Sequence, residues 1–194
     1  MLSTVLIAVI TAALIFEFIN GFHDTANAIA VSIHTGALSA GRAVALAAVM
    51  NLLGAFASEN VARTISGELI SAAIDEYTII AALIAAIIWN LFTWYLGMPA
   101  SSSHALIGAL IGASVVFTGS TDAVLWKNLV LKVVLPLFLC PPAGFAAGAL
   151  ASLFIKKENR IMQIVASAFV AFSHGENDAQ KTMGIITLAL AGRG

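Results

Sequence analysis

The chain has 194 residues, of which 60% are hydrophobic and only 10% charged, with a net charge of −1 and a mean hydropathy of +1.00. A soluble domain carries about 25% charged residues, so this chain has too few charges to cover a surface facing water, and no basic patch points to nucleic acid as a partner. The composition is that of an all-α, polytopic integral membrane protein whose partner is the lipid bilayer. The lone Cys140 excludes disulfides and cysteine-based metal sites and reads as a small packing residue in an apolar helix.

In chain order, the first apolar run spans residues 2–19 and carries Glu17 near its end. It has no basic leader and no convincing cleavage site, so it reads as a retained helix rather than a signal peptide. A polar break at residues 20–27 follows. The apolar piece at 28–33 is too short to cross alone and reads as a re-entrant or broken-helix segment. A glycine-containing loop holds His34. The second span covers residues 43–58, with Asn51 expected to hydrogen-bond between helices.

Residues 59–76 are the most polar interval. No Asp, Glu, Lys or Arg occurs between Tyr77 and Thr121. That interval holds a third span at 78–96, ending in the interfacial aromatics Trp89, Trp94 and Tyr95. Gly97-Met98-Pro99 breaks it, and Ala100-Ser101-Ser102-Ser103-His104 opens the apolar segment 105–117. A span over 129–155 is interrupted by Pro136, Pro141 and Pro142. The basic cluster at 156–160 follows, then a sixth apolar segment from Ile161 to a second polar break at Ser173. Residues 185–190 begin a further element. Basic residues favour the cytoplasmic side, which puts Lys156, Lys157, Arg160 and Arg42 inside and the acidic 59–76 loop and the N-terminus outside.

Two polar stretches lie in equivalent apolar surroundings: Asn20-Gly21-Phe22-His23-Asp24-Thr25-Ala26-Asn27-Ala28 and Ser173-His174-Gly175-Glu176-Asn177-Asp178-Ala179-Gln180-Lys181-Thr182. They align without a gap at an offset of 154, pairing Phe18 with Phe172, Gly21 with Gly175 and Asp24 with Asp178. One site built from two copies of a unit follows. Ionisable residues inside membrane segments mark functional pathways, and broken helices expose ends that attract anions or cations. The competing reading of either aspartate alone is a helix cap. Pro99 with Ser101, Ser102 and Ser103 reads equally as an oxyanion cradle or as a plain serine cap followed by a buried His104. The spacing of His23, His104 and His174 matches no metal-ligand pattern, and no metal site is assigned.

Gly21-Phe22-His23-Asp24-Thr25-Ala26-Asn27-Ala28, Gly97-Met98-Pro99-Ala100-Ser101-Ser102-Ser103-His104 and the second polar stretch resemble the signatures of the inorganic phosphate transporter (PiT) family. Thr64-Ile65-Ser66-Gly67 is also family-like. The resemblance covers essentially the whole chain. It implies a symporter of two inverted-topology repeats with broken or re-entrant helices, in the cell (inner) membrane, with phosphate bound between the repeats. Carried over by motif, Asp24, Asn27, Asn177 and Asp178 bind the coupling cation and phosphate. Ser101, Ser102, Ser103 and His104 donate to phosphate, and Lys181 balances charge.

Two departures matter. The hydroxyl–His motif occurs once here, so the resemblance reads residues 1–155 as one repeat, 156–160 as a cytoplasmic linker and 161–194 as the start of a second, with homo-oligomerisation as one way to complete a site. Lys181 stands where the first copy has Asn27, which resembles the bacterial low-affinity branch associated with proton or metal-phosphate symport. An ammonium there can replace a bound cation. No cofactor is expected beyond a coupling ion, H+, Na+ or a divalent metal. Moving one negative charge inward against the membrane potential costs about 2.3 kcal/mol per 100 mV, so a phosphate dianion needs that cation. The rivals are a divalent-metal or metal-phosphate carrier using the histidines, a non-transporting fragment, and a membrane hydrolase. The last is disfavoured because Ser103 and His104 are neighbours that cannot face each other on a helix.

Overall fold

The first polar stretch contains no proline and a single glycine, so nothing in its backbone chemistry forces a helix to stop there. In the computed structural model, which describes residues 3–71, 74–155 and 159–191, helix α1 runs unbroken over Thr4–His34. Ser3 caps it by accepting from the Leu6 N–H at 3.1 Å. Helix α8 likewise runs unbroken over Arg160–Ala191, through Ser173. Both expected breaks are therefore corrected. Residues 28–33 are the last turns of α1 rather than a re-entrant piece, and residues 185–190 belong to α8. The polar side chains mark a buried interface, not an interrupted backbone. Several satisfy themselves on the preceding turn: Thr25 donates to the Gly21 carbonyl, and Asn177 to that of Ser173 at 2.8 Å.

The broken span lies elsewhere. Helix α2, Ala40–Ala55, is followed by α3, Asn60–Arg63, which continues into a π-helical turn at Thr64–Glu68, and the two parts are bent by 61°. Helix α4, Glu76–Tyr95, is capped by Asp75 and stops at Gly97, whose φ of +64° is open to glycine at little cost. Helix α5 covers Ser102–Thr118. Helix α6, Trp126–Leu129, passes through a second π-helical turn at Val130–Val134 into α7, Leu135–Phe154. The prolines do not end this rod. Pro136 lacks an N–H for the carbonyl four residues back, that of Lys132, and the widened turn accommodates its ring. Among the described residues three helices are long and apolar enough to cross a membrane, four if the bent pair is one span. The chain is a multi-pass membrane protein. Lys156, Lys157 and Glu158 of the expected linker lie outside the described residues.

Apolar stripes on four helices form the core: Leu6, Val9, Ala13 and Phe16 of α1 meet Ile79, Leu83 and Ala86 of α4, Leu106 and Leu110 of α5, and Ile185 of α8. Helices α1 and α8 pack antiparallel, with Thr35 beside Gln163, Ser32 beside Ser167, Asn20 beside Asp178 and Glu17 beside Thr182. This register brings Phe22 and Glu176, counterparts in the two aligned stretches, to the same level. Antiparallel packing about that point is the relation expected of two inverted copies. Helix α2 packs on α8 so closely that a Cβ on Gly175 would overlap the Asn51 backbone, and one on Gly54 the Phe172 carbonyl. In lipid, where apolar burial gives helices no drive to associate, such close approach is a main source of adhesion.

One end of the bundle holds Ser3, bonded to Glu76 at 3.2 Å. The other holds the α1–α2 loop, where Arg160 Nε donates to the Ala37 carbonyl at 2.8 Å and Arg42 sits in the first turn of α2. Arg42 and Arg160 thus lie at the end opposite Glu76.

Candidate functional site

Helical spacing places Glu17, Asn20 and Asp24 on one stripe of α1, and His174, Asp178 and Lys181 on one stripe of α8. Antiparallel packing sets these stripes face to face, and the first turn of α5 closes over them. Lys181 Nζ lies 2.9 Å from Asp178 Oδ1 and donates to Ser102 Oγ at 3.0 Å, and Ser102 donates to Asp24 Oδ2 at 3.3 Å. Asn20 donates to Asp178 Oδ2 at 2.9 Å. Lys181 is 2% exposed and Asp178 8%. A charge so buried costs several kcal/mol, roughly, unless paired, so each holds the other in place.

His174 is fixed from the far side. Asn51 Nδ2 donates to the Ala47 carbonyl at 2.8 Å, which turns Asn51 Oδ1 toward His174 Nδ1 at 2.6 Å. An amide oxygen only accepts, so Nδ1 carries a proton. Nε2 then faces Asp178 Oδ2 at 3.0 Å, buried and out of line for a hydrogen bond. Asn20 Oδ1 is likewise buried without a hydrogen-bond partner. With Asp24, whose Oδ1 is 3.2 Å from His23 Nδ1, acceptors outnumber donors here. One ligand atom each from Asp24, His174 and Asp178 falls within a 4.8 Å cluster. A cation, whether a proton or a metal ion, is what such a set of acceptors can hold.

Two cavities flank this network and share no lining residue. The first, about 370 Å³, is lined by Lys181, Asn177 and Ser103 together with Asn60, Thr64 and Lys132, and no carboxylate is among its lining residues. The second, about 290 Å³, is lined by His23, Asp24 and Asn27 beside the Gly97–Pro99 turn. Each motif copy therefore opens onto its own cavity, Asn27 on one and its aligned counterpart Lys181 on the other.

Of the residues expected at the site, Asp24, Ser102, Asp178 and Lys181 meet in one network, and Ser103 and Asn177 line the cavity beside it. Asn27 lines the other cavity. Ser101 and His104 are exposed and pair with each other, with His104 Nδ1 2.7 Å from Ser101 Oγ, and neither lines these two cavities. Ser101 is the N-cap of α5 and accepts from the His104 N–H at 3.3 Å, the plain-cap reading of this motif. Asn20, Asn51 and Lys132 were not anticipated as site residues, and His174 only as a metal neighbour. The signal for the first was the alignment itself, which pairs Asn20 with His174.

A sequence profile described as the phosphate transporter family matches residues 20–161. A probable low-affinity inorganic phosphate transporter of Bacillus subtilis is 45% identical over 203 residues, covering 95% of this chain and 59% of the relative. One of Streptomyces halstedii is 41% identical, covering 89% and 86%. The low-affinity inorganic phosphate transporter PitB of Escherichia coli is 37% identical, covering 96% and 46%. The chain thus spans about half the length of most of these relatives. A solved sodium-dependent phosphate transporter shares the fold, with a TM-score of 0.82 at 22% identity over 97% of this chain and 68% of that one.

Proposed function

The chain belongs to the phosphate transporter family, and from that premise we propose that it takes part in cation-coupled symport of inorganic phosphate across the cell membrane. The observation that carries this reading is the relay Asp24–Ser102–Lys181–Asp178 standing between two separate cavities. Phosphate occupies the carboxylate-free cavity. There Lys181 supplies charge, Ser103 and Asn177 supply hydrogen bonds, and the positive N-terminal end of α5 adds its field. The coupling cation takes the acceptor-rich side formed by Asp24, His174, Asp178 and Asn20. A dianion and two carboxylates repel one another unless cations stand between them, and Lys181 is one such cation built into the chain.

A metal-phosphate carrier is the second reading, favoured by the convergence of Asp24, His174 and Asp178. His23 and His104, the other histidines that reading invokes, bond instead to Asp24 and Ser101. Lys181 already occupies one oxygen of Asp178, so a divalent ion would have to share it.

The test is radiolabelled phosphate uptake into proteoliposomes holding the 194-residue chain, under separate sodium, proton and magnesium gradients, with Asp24→Asn as control. Uptake that one gradient drives and the substitution abolishes is the expected result, and that gradient identifies the coupling ion. Inserted, folded protein that takes up nothing under any gradient would overturn the proposal for this chain.

A further inference from the structure

Among the described residues two helices carry a π-helical turn, Thr64–Glu68 and Val130–Val134, and both turns supply walls of the cavity that holds Lys181, Ser103 and Asn177. Such turns concentrate at functional sites because they re-aim side chains and loosen the backbone ladder. A short set of polar contacts ties the two together. Lys132 Nζ is ion-paired with Glu68 Oε2, and Asn128 Nδ2 donates to the Glu68 backbone carbonyl at 2.9 Å. Glu68 Oε2, the oxygen paired with Lys132, also accepts from Thr64 Oγ1 at 2.8 Å.

Lys132 lines the cavity and Glu68 does not. The side chains of the pair are 41% and 38% exposed, unlike the sealed Lys181–Asp178 pair at 3% and 12%. The pair is far less enclosed than Lys181–Asp178, so the Lys132 side chain has room to move. Glu68 keeps Thr64 as a donor when Lys132 leaves. Lys132 is the sole charged residue between Asn128 and Ile155 and so calls for a functional account, and a charge on a flexible stem suits an anion better than a fixed lock.

We propose that Lys132 is a second phosphate-binding cation of this cavity, held off it by Glu68 until an anion arrives. A phosphate dianion outcompetes the single carboxylate for the ammonium. When Lys132 swings to it, the ion pair between the two π-turns is released while the Asn128–Glu68 bond still ties them, so anion binding loosens that wall. This rests on the reading of the cavity as the phosphate site.

The experiment is equilibrium binding of inorganic phosphate to the full chain in detergent, for the wild type, Lys132→Gln, Glu68→Gln and the charge-swapped pair Glu68→Lys/Lys132→Glu. Loss of a charge-assisted hydrogen bond weakens binding roughly tenfold, the change expected for Lys132→Gln. Glu68→Gln removes the competitor and tightens binding several-fold. The swapped pair restores the ion pair but leaves binding weak, because a carboxylate now lines the cavity. If the pair were only a structural clip, the two single variants would shift affinity in the same direction and the swap would restore it, and either result overturns the proposal. Where Lys132→Gln does not fold, Lys132→Arg serves: affinity near the wild-type value supports the role of charge, and its loss overturns it. Wild-type protein that binds no phosphate overturns the cavity assignment and this proposal with it. Wild-type binding that Lys132→Gln leaves unchanged overturns this proposal alone.

Discussion

Lys181 stands where the first motif has Asn27, and its buried ammonium is held between Asp178 and Ser102. Replacing it by asparagine would leave Asp178 buried without its ion-pair partner, a loss of about 3 kcal/mol or more. The expected outcome for Lys181→Asn is a lower melting temperature in detergent that added sodium or magnesium partly recovers, by a larger shift than either salt gives the wild type. Recovery follows because an ion bound only by the folded state stabilises it. An unchanged melting temperature, or no effect of cations on the variant, would remove the built-in-cation role. Asp24, Asp178 and Lys181 were legible in the sequence because charges stand out in an apolar run. Asn20 and His174 were not, because their significance is a contact across helices: Asn20 donates to Asp178, and His174 stands between Asn51 and Asp178. Asn51 was read as a bond between helices, and it is one, but that its partner is His174 depends on the α2–α8 contact.

At the scale of elements, the α2–α8 crossing is the closest approach among the described glycines. A Cβ on Gly175 would overlap the backbone of Asn51, whereas one on Gly21, its counterpart in α1, meets nothing within 4 Å. Gly175→Ala is therefore expected to drive α2 off α8, carrying Asn51 away from His174, and to lower the yield of monodisperse protein sharply. Gly21→Ala is expected to be neutral or slightly stabilising, since alanine favours a helix over glycine by about 1 kcal/mol. Size-exclusion profiles and melting curves of the two variants check this, and equal behaviour would contradict the packing described. The polar stretches misled the reading of helix ends for the same reason. Hydrophobicity alone cannot separate a helix that stops at polar residues from one that buries them against a partner. Here a second polar stripe on α8 satisfies those of α1, and the backbone ladder continues through both.

For the whole molecule, the placement of Arg42 and Arg160 at the end opposite Glu76 gives a sidedness to test. Ser39 ends the α1–α2 loop, just before Arg42 in the first turn of α2, and Ser120 lies beyond α5 near Asp122. Ser71 donates to the Ala123 carbonyl at 3.1 Å, which ties that segment to the acidic interval. In a Cys140→Ser background, a cysteine at Ser120 is expected to react with a membrane-impermeant maleimide in intact cells, and one at Ser39 only after permeabilisation. The reverse pattern would invert the orientation drawn from the basic residues.

Composition by itself determined the solvent, because apolar residues at this density with so few charges cannot face water. It also determined that the chain is helical, because lipid leaves backbone groups only helices or closed barrels in which to satisfy their hydrogen bonds, and the apolar runs have helical length. The motifs pointed to the family and to three of the four residues in the charged relay as charge-bearing groups. Tertiary structure decided which of those groups meet, where the span bends, and that Lys181 and Asn27 face different cavities. Helix spacing fixes which residues share a stripe, but only the register between α1 and α8 fixes which stripes face each other, and that register comes from contacts more than a hundred residues apart in the chain.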